Sequence, residues 1–375
     1  MNVALVYDRV NKWGGAERVL GALHHLYPEA PLYTAVYDKA RTSWADQFAV
    51  KPSFLTNIPF AKSAHEAFPW FTPLAFETFS FDGYDAVISV TSAEAKDIIT
   101  KPGTTHICYC LTPTRYLWSG SDSYRQNPGF GAFNLMARLG LTLLAPILRS
   151  WDLVGAQRPD AYIAISERVK KRIEKYYHRD VAAVVYPPVD AARFMRESKA
   201  YKTAKKNGYF LTVSRLVGYK RIDLLIEAFN KLKLPLVIIG DGYQKGELKR
   251  IAGPTITFVD RYLTDSELVR YYGECRAFVY AADEDFGIAA VEAQSCGKPV
   301  IAYRHSGVSE TVSVGVTGLL FEKQHVTSVM DAVRKFQSAR FDPEECRKNA
   351  MRFDTNVFER TMKGVIQTIL KQQSL

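Results

Sequence analysis

Glu284 and Glu292 bound the run Glu284-Asp285-Phe286-Gly287-Ile288-Ala289-Ala290-Val291-Glu292, which follows the apolar stretch Ala277 to Tyr280 and precedes Gly297-Lys298-Pro299. The apolar stretch reads as a strand. Gly287 opens a short helix that Gly297 and Pro299 end, so Glu284 lies in the loop and Glu292 within the helix. An ionised carboxylate only accepts hydrogen bonds, which suits sugar hydroxyls. The first turn of a helix carries unpaired N–H groups and partial positive charge, which suits phosphate. On spacing alone, solvated acidic residues at a helix start are an equally good account.

Cations and glycines extend the pattern. Arg215 ends the strand-like run Phe210 to Val213, and Lys220 stands just before the amphipathic run Ile222 to Leu232. Arg offers a fork for two oxygens and Lys a point charge, a pair suited to a diphosphate. Gly14 and Gly15 follow the first strand, where glycine allows close backbone approach and positive φ. Gly240 and Gly242 also follow a strand. Lys245 occupies the place of the third glycine of a dinucleotide fingerprint, so this loop shapes a nucleotide pocket and does not bind NAD.

These residues need elements to hold them. Apolar runs at Val3 to Tyr7, Ala86 to Ser89, Ile107 to Cys110, Tyr162 to Ile165, Phe210 to Val213, Leu236 to Ile239, Thr257 to Val259, Ala277 to Tyr280 and Pro299 to Ala302 alternate with amphipathic ones. That order predicts an α/β fold with parallel sheets covered on both faces. The 375 residues exceed one typical core. Periodicity lapses between Tyr186 and Gly208, so two Rossmann-like domains are expected, 1–190 and 207–350, facing an interdomain cleft. Ligands of open α/β sheets bind beyond the carboxyl ends of the strands, which would place Gly14, Gly15, Arg215, Lys220 and Glu284 at one crevice.

With 47% hydrophobic residues the chain is no disordered one, and its net charge of +10 favours an anionic partner. The basic residues are scattered and no nucleic-acid-binding motif stands out, so nucleic acid is set aside. Five cysteines, an odd count, form no disulfide or zinc pattern, and the amino terminus shows no cleavage-site pattern, so a cytoplasmic location is expected. Residues 130–151 are the most apolar long segment, but Asn134, Arg138, Pro146 and Arg149 interrupt it. It is read as a core helix, with a bilayer-interface helix as the alternative. Arg168 to Arg179 reads as a basic amphipathic helix, either a solvated face or a peripheral contact with an anionic membrane.

The two-glutamate run, in its Glu284-Asp285-Phe286-Gly287 form, resembles the retaining glycosyltransferases of family 4. The resemblance continues through Phe210 to Phe229, Leu236 to Gly242, Gly307 to Val312 and Gly315 to Phe321. It is looser in Trp13 to Glu17, Tyr84 to Ser89, Thr112 to Tyr116, Arg158 to Asp160 and Tyr186 to Asp190. It implies the GT-B architecture: an N-terminal acceptor-binding domain, a C-terminal donor-binding domain, and a last helix within 356–375 that crosses back to the first. It also implies that Arg215 and Lys220 hold the donor diphosphate without a metal or other cofactor, and that Glu292 binds the ribose. Glu284 would then hold the transferred sugar together with the N–H groups of Phe286, Gly287 and Ile288. The Gly14-Gly15 loop would lie over the donor phosphate and the acceptor.

Arg115, Tyr116 and Trp118 are the candidates for acceptor binding, with packing against the sheet as the alternative. Many relatives place a histidine where this chain has Leu111, so the sugar contact made there must differ. The expected activity is transfer of a hexosyl group to a glycan or lipid-linked acceptor. The donor leans to GDP-mannose, with a UDP-sugar as the rival and a non-catalytic nucleotide-sugar-binding protein as the alternative class.

Overall fold

The computed structural model describes residues 1–59, 61–62, 71–121, 134–201 and 208–373. It divides into two units, Met1–Pro188 with Phe358–Leu375, and Val189–Val357. The first unit is built on strands β1 (Val3–Tyr7), β2 (Leu32–Thr34), β3 (Val50–Pro52), β4 (Ala86–Thr91), β5 (Thr105–Cys110), β6 (Ala161–Ala164) and β7 (Ala183–Val184). They pair in parallel in the order β3-β2-β1-β4-β5-β6-β7, with Leu5 opposite both Leu32 and Ile88.

The second unit carries β8 (Phe210–Val213), β9 (Leu236–Ile239), β10 (Ile256–Val259), β11 (Ala277–Tyr280), β12 (Val300–Tyr303) and β13 (Gly318–Phe321). Their order is β10-β9-β8-β11-β12-β13, again with every pairing parallel. Burial on both faces explains the unbroken apolar runs. Phe210, Val279 and Ile301 join one core, while their neighbours Leu211, Phe278 and Val300 join the other. Both sheets reverse strand order beside their first strand, between β1 and β4 and between β8 and β11. These are the two places where doubly wound sheets open a crevice.

Helices cover the sheets by their apolar stripes. Ile222–Leu232 buries Ile222, Leu225, Ile226 and Phe229, one face at helical spacing, and stops at Lys233, whose φ of 52° is left-handed. The stretch where periodicity lapses is not all linker. Ala191–Ser198 is a helix, capped by Asp190, which accepts from Arg193 N–H. It belongs to the second unit, which therefore begins at Val189, ahead of the expected 207. Residues 202–207 lie outside the described ones. The last helix is Thr355–Gln373, and Phe358–Leu375 belongs to the first unit.

The apolar segment is the helix Asn134–Ala156, while residues 130–133 lie outside the described ones. It buries Ala145 and Leu148 and leaves Leu143, Ile147 and Val154 exposed. The basic run is the helix Glu167–Tyr177, which buries Val169, Ile173 and Tyr177 and ends at His178 in the left-handed region. No helix among the described residues is long and apolar enough to cross a membrane.

Candidate functional site

In the second unit the loop after β8 meets the loop after β11. Val217 leads into a single turn, Gly218–Lys220, and Arg221 adopts φ 53° before the helix Ile222–Leu232. A left-handed non-glycine residue costs on the order of 1–3 kcal/mol and persists only where its surroundings fix it. Here it turns the chain so that Lys220 points inward. Lys220 is 8% exposed, donates to the Tyr280 hydroxyl at 3.0 Å and forms an ion pair with Glu284. Arg215 is exposed and donates to the Tyr219 hydroxyl at 2.6 Å. Each cation is thus steadied by one tyrosine.

Glu284 stands in the loop, as its place before Gly287 implies, but it is tied to Lys220 and does not reach freely into a cavity. Opposite charges at short range in a low-dielectric setting attract strongly, so the pair forms when no ligand competes. The loop is clamped from the other side. Glu284 N–H donates to Ser306 Oγ at 3.2 Å, and Gly307 N–H donates to the Glu284 carbonyl at 2.7 Å. Any Cβ on Gly307 would sit 2.1 Å from the Asp285 carbonyl oxygen.

Gly287 caps the helix Ile288–Ser295 at φ 98°, a left-handed conformation that glycine adopts without penalty. Its α-carbon lies against Val308, which a Cβ would meet at 2.5 Å. No side chain caps this helix. Phe286 is buried edge-to-face on Phe353, 5.3 Å between rings. Glu292, inside the helix, is 4% exposed and accepts from the Tyr272 hydroxyl at 2.8 Å. Gly240 takes φ 146° where a Cβ would fall 1.8 Å from the Ser214 carbonyl, and Gly242 lies similarly against Leu216. The β9 loop is thereby held tight against the Arg215 loop.

In the first unit the residues after β1, β4 and β5 converge. Gly14 is extended, φ −176°, and no positive φ occurs at Gly14 or Gly15, contrary to expectation. Its smallness matters instead, because Glu17 Oε2 lies 3.2 Å from where a Cβ would be. Glu17 is buried in the first turn of the helix Gly15–Leu26 and accepts from the Tyr7 hydroxyl at 2.6 Å, and burial raises its pKa. Asp8 accepts from Thr91 Oγ1, Ser92 N–H and Ala95 N–H at 2.7–2.9 Å, joining the two strand ends.

Tyr116 donates to Glu94 at 2.9 Å, and Glu94 also pairs with Arg9 at 2.7 Å. Trp118 donates to Asp152 at 2.6 Å and stacks on Tyr176. Both aromatic rings are therefore part of the internal packing of this unit, while Arg115 stays half-buried between them. Leu111 follows β5, its N–H bonded to the Thr91 carbonyl at 2.8 Å. His106 lies inside β5 with Nε2 2.8 Å from Ser89 Oγ. Burial pushes its pKa down to about 3, so it is a neutral structural group. Asp8, Glu94, Asp152 and Ser306 escape a reading by motif, and Glu17 enters one with no role assigned to it. Only the place of Glu17 three residues after Gly14, the spacing of a helix-capping acid, gives a signal.

Residues 194–353 match the family of glycosyl transferases group 1. An uncharacterized glycosyltransferase of Methanocaldococcus jannaschii is 29% identical over 50% of this chain and 52% of its own. The GDP-mannose-dependent alpha-(1-6)-phosphatidylinositol monomannoside mannosyltransferase of Mycobacterium tuberculosis is 30% identical over 51% of this chain and 56% of its own. The chain thus spans about half the length of these curated relatives. Among solved structures, HepE of Anabaena, in complex with UDP and glucose, has the same fold. Its TM-score is 0.65 at 17% identity, covering 98% of this chain and 99% of that one. The two parallel-sheet, Rossmann-like units are those of the GT-B fold.

Proposed function

We propose that the chain transfers a hexosyl group, mannose from GDP-mannose, to a glycan or lipid-linked acceptor with retention of configuration. The observation that carries this is the gathering of Arg215, Lys220 and Glu284 at the strand-order reversal of the second unit, beside an uncapped helix start. Charge grows on the leaving diphosphate as the glycosidic bond breaks, and fixed donors aimed at that charge lower the barrier. Arg215 and Lys220 supply them, without a metal. The donor takes Lys220 from Glu284, and the freed carboxylate accepts from hydroxyls of the transferred sugar. Glu292 shares its carboxylate between Tyr272 and the ribose. The departing phosphate oxygen takes the acceptor proton as the acceptor oxygen bonds to the anomeric carbon on the same face. Glu284 is then an electrostatic and positioning group, not a glycosidase-type nucleophile.

The name of the Mycobacterium tuberculosis relative supports GDP-mannose, and the UDP bound in the HepE structure keeps a UDP-sugar as the rival. Thermal stabilisation by GDP, UDP, ADP and dTDP tests both. A nucleotide at 100 times its Kd adds about 2.7 kcal/mol to the state that binds it. GDP is expected to raise Tm most. Selectivity for UDP replaces the donor, and no response to any nucleotide overturns the transferase reading.

Lipid-linked acceptors lie at membranes, and the first unit carries a surface suited to one. Lys171 and Lys175 are exposed on the helix Glu167–Tyr177, and Leu143, Ile147 and Val154 on Asn134–Ala156. The two helices meet through Trp118, which Tyr176 stacks on and the Arg149 guanidinium faces at 5.5 Å. Replacing Lys170, Lys171, Arg172 and Lys175 by Glu is expected to release the folded protein from vesicles containing phosphatidylglycerol. Unchanged co-sedimentation would count against membrane contact.

A further inference from the structure

Tyr219 lies in the turn Gly218–Lys220 and is half-buried, yet it joins neither apolar core of the second unit. Its contacts are with the two cations instead. The hydroxyl accepts from the Arg215 guanidinium at 2.6 Å, that guanidinium lies 6.0 Å from the ring centre, and Lys220 Nζ lies 5.0 Å from the same centre. The backbone under this side chain is fixed by other groups. Gly218 N–H donates to the Tyr243 hydroxyl at 3.2 Å, and Arg221 N–H closes the turn on the Gly218 carbonyl at 3.1 Å.

The kind of partner matters. Arg193, Arg221, Arg261 and Arg304 of the same unit each pair with a carboxylate, whereas Arg215 is given a phenol. A carboxylate would neutralise the guanidinium and compete with an incoming anion. A neutral hydroxyl engages one of its five N–H groups and leaves the charge and the other donors for phosphate. Lys220 lies 5.7 Å from the Tyr280 ring as well as 5.0 Å from that of Tyr219. Ring faces attract an ammonium group without neutralising it, so these contacts last when a diphosphate draws Lys220 from Glu284. Arg215 and Lys220 repel each other, and a loose Arg side chain loses rotamer freedom on binding. A ring that touches both offsets each cost before the ligand arrives.

We infer that Tyr219 is a positioning residue that holds Arg215 and Lys220 as one preformed clamp for a diphosphate, its hydroxyl serving the first cation and its ring the second. This rests on the transferase reading above and deepens it, since it assigns the means by which the two donor cations act together.

Calorimetric titration of the full chain with GDP, UDP and inorganic pyrophosphate tests it. For whichever diphosphate binds, Tyr219→Leu should weaken affinity by about tenfold or more, and Tyr219→Phe, which keeps the ring, by about threefold. In a chain that already carries Arg215→Gln, Tyr219→Phe should cost nothing further, because the hydroxyl acts through Arg215. A merely structural tyrosine would give the same loss in both backgrounds. That result overturns the inference, as does unchanged affinity in Tyr219→Leu or a loss in Tyr219→Phe as large as in Tyr219→Leu. Binding of pyrophosphate but of neither nucleotide strikes the transferase reading alone, and the role of Tyr219 is then read on pyrophosphate. Absence of binding by all three overturns both.

Discussion

Glu284→Gln is expected to lower kcat for turnover of the proposed donor, GDP-mannose, by about 10²–10³-fold, the range found when one charge-stabilising group is removed from an active site. GDP affinity should stay level or tighten. The difference follows from the ion pair. Lys220 is held by Glu284 and by Tyr280, so a diphosphate must take it from a carboxylate. Gln keeps an acceptor oxygen but no charge, and Lys220 then meets the phosphate with less to give up. The sugar loses the charged acceptor that matters as positive charge develops at its anomeric carbon. Steady-state kinetics gives the first effect and calorimetric titration of GDP the second. Equal losses in kcat and affinity would mean that Glu284 serves binding as much as chemistry, which contradicts the roles assigned here.

Much of this site was legible because its residues sit at strand ends and helix starts. β1, β8, β9 and β11 have the bounds their apolar runs imply, since strands buried on both faces give continuous apolar runs. β2, β3 and β7 were missed: Leu32–Thr34, Val50–Pro52 and Ala183–Val184 are two or three residues long, too short for any period to show. β13 lies within the run Gly315 to Phe321, where Gly318 at its start hides the strand signal, and a Cβ there would meet the Val300 carbonyl at 2.0 Å. Gly287 could be read as a helix start from sequence alone. The ion pair of Lys220 with Glu284 could not, because it joins residues 64 positions apart through the pairing of β8 with β11. Nor does a motif separate a glycine kept for positive φ, as at Gly287, from one kept for room, as at Gly14. That difference lies in Val308 and Glu17, which fold in from elsewhere or from the next turn.

Asp152 shows the same limit, and its removal is expected to have the largest effect on stability. Nothing in its own segment, a helix rich in apolar residues, marks it. In the structure it is 4% exposed, with Oδ1 accepting from Lys96 Nζ at 2.6 Å and Thr114 Oγ1 at 2.7 Å, and Oδ2 accepting from Trp118 at 2.6 Å. Lys96 is itself 1% exposed and also bonds Asp97 at 3.0 Å. Asp152→Ala breaks a buried ion pair and leaves two further donors without their acceptor, so about 3–5 kcal/mol of stability should be lost.

The loss should depend on pH. Burial pushes the Asp97 carboxyl up to about 7, against about 4 in the unfolded chain. The folded chain therefore binds the extra proton between those values, and this group's contribution to stability falls as pH rises through that range. Without Asp152, burial still raises the Asp97 carboxyl but the neighbouring carboxylate no longer does, so its pKa falls and that dependence weakens. The deficit of Asp152→Ala is thus expected to be smaller near about pH 8 than near about pH 5. Urea unfolding followed by tryptophan fluorescence at both pH values measures it. A loss below about 1 kcal/mol at both, the size expected of an exposed pair, would show that the buried charges do not hold the Thr114 to Trp118 loop.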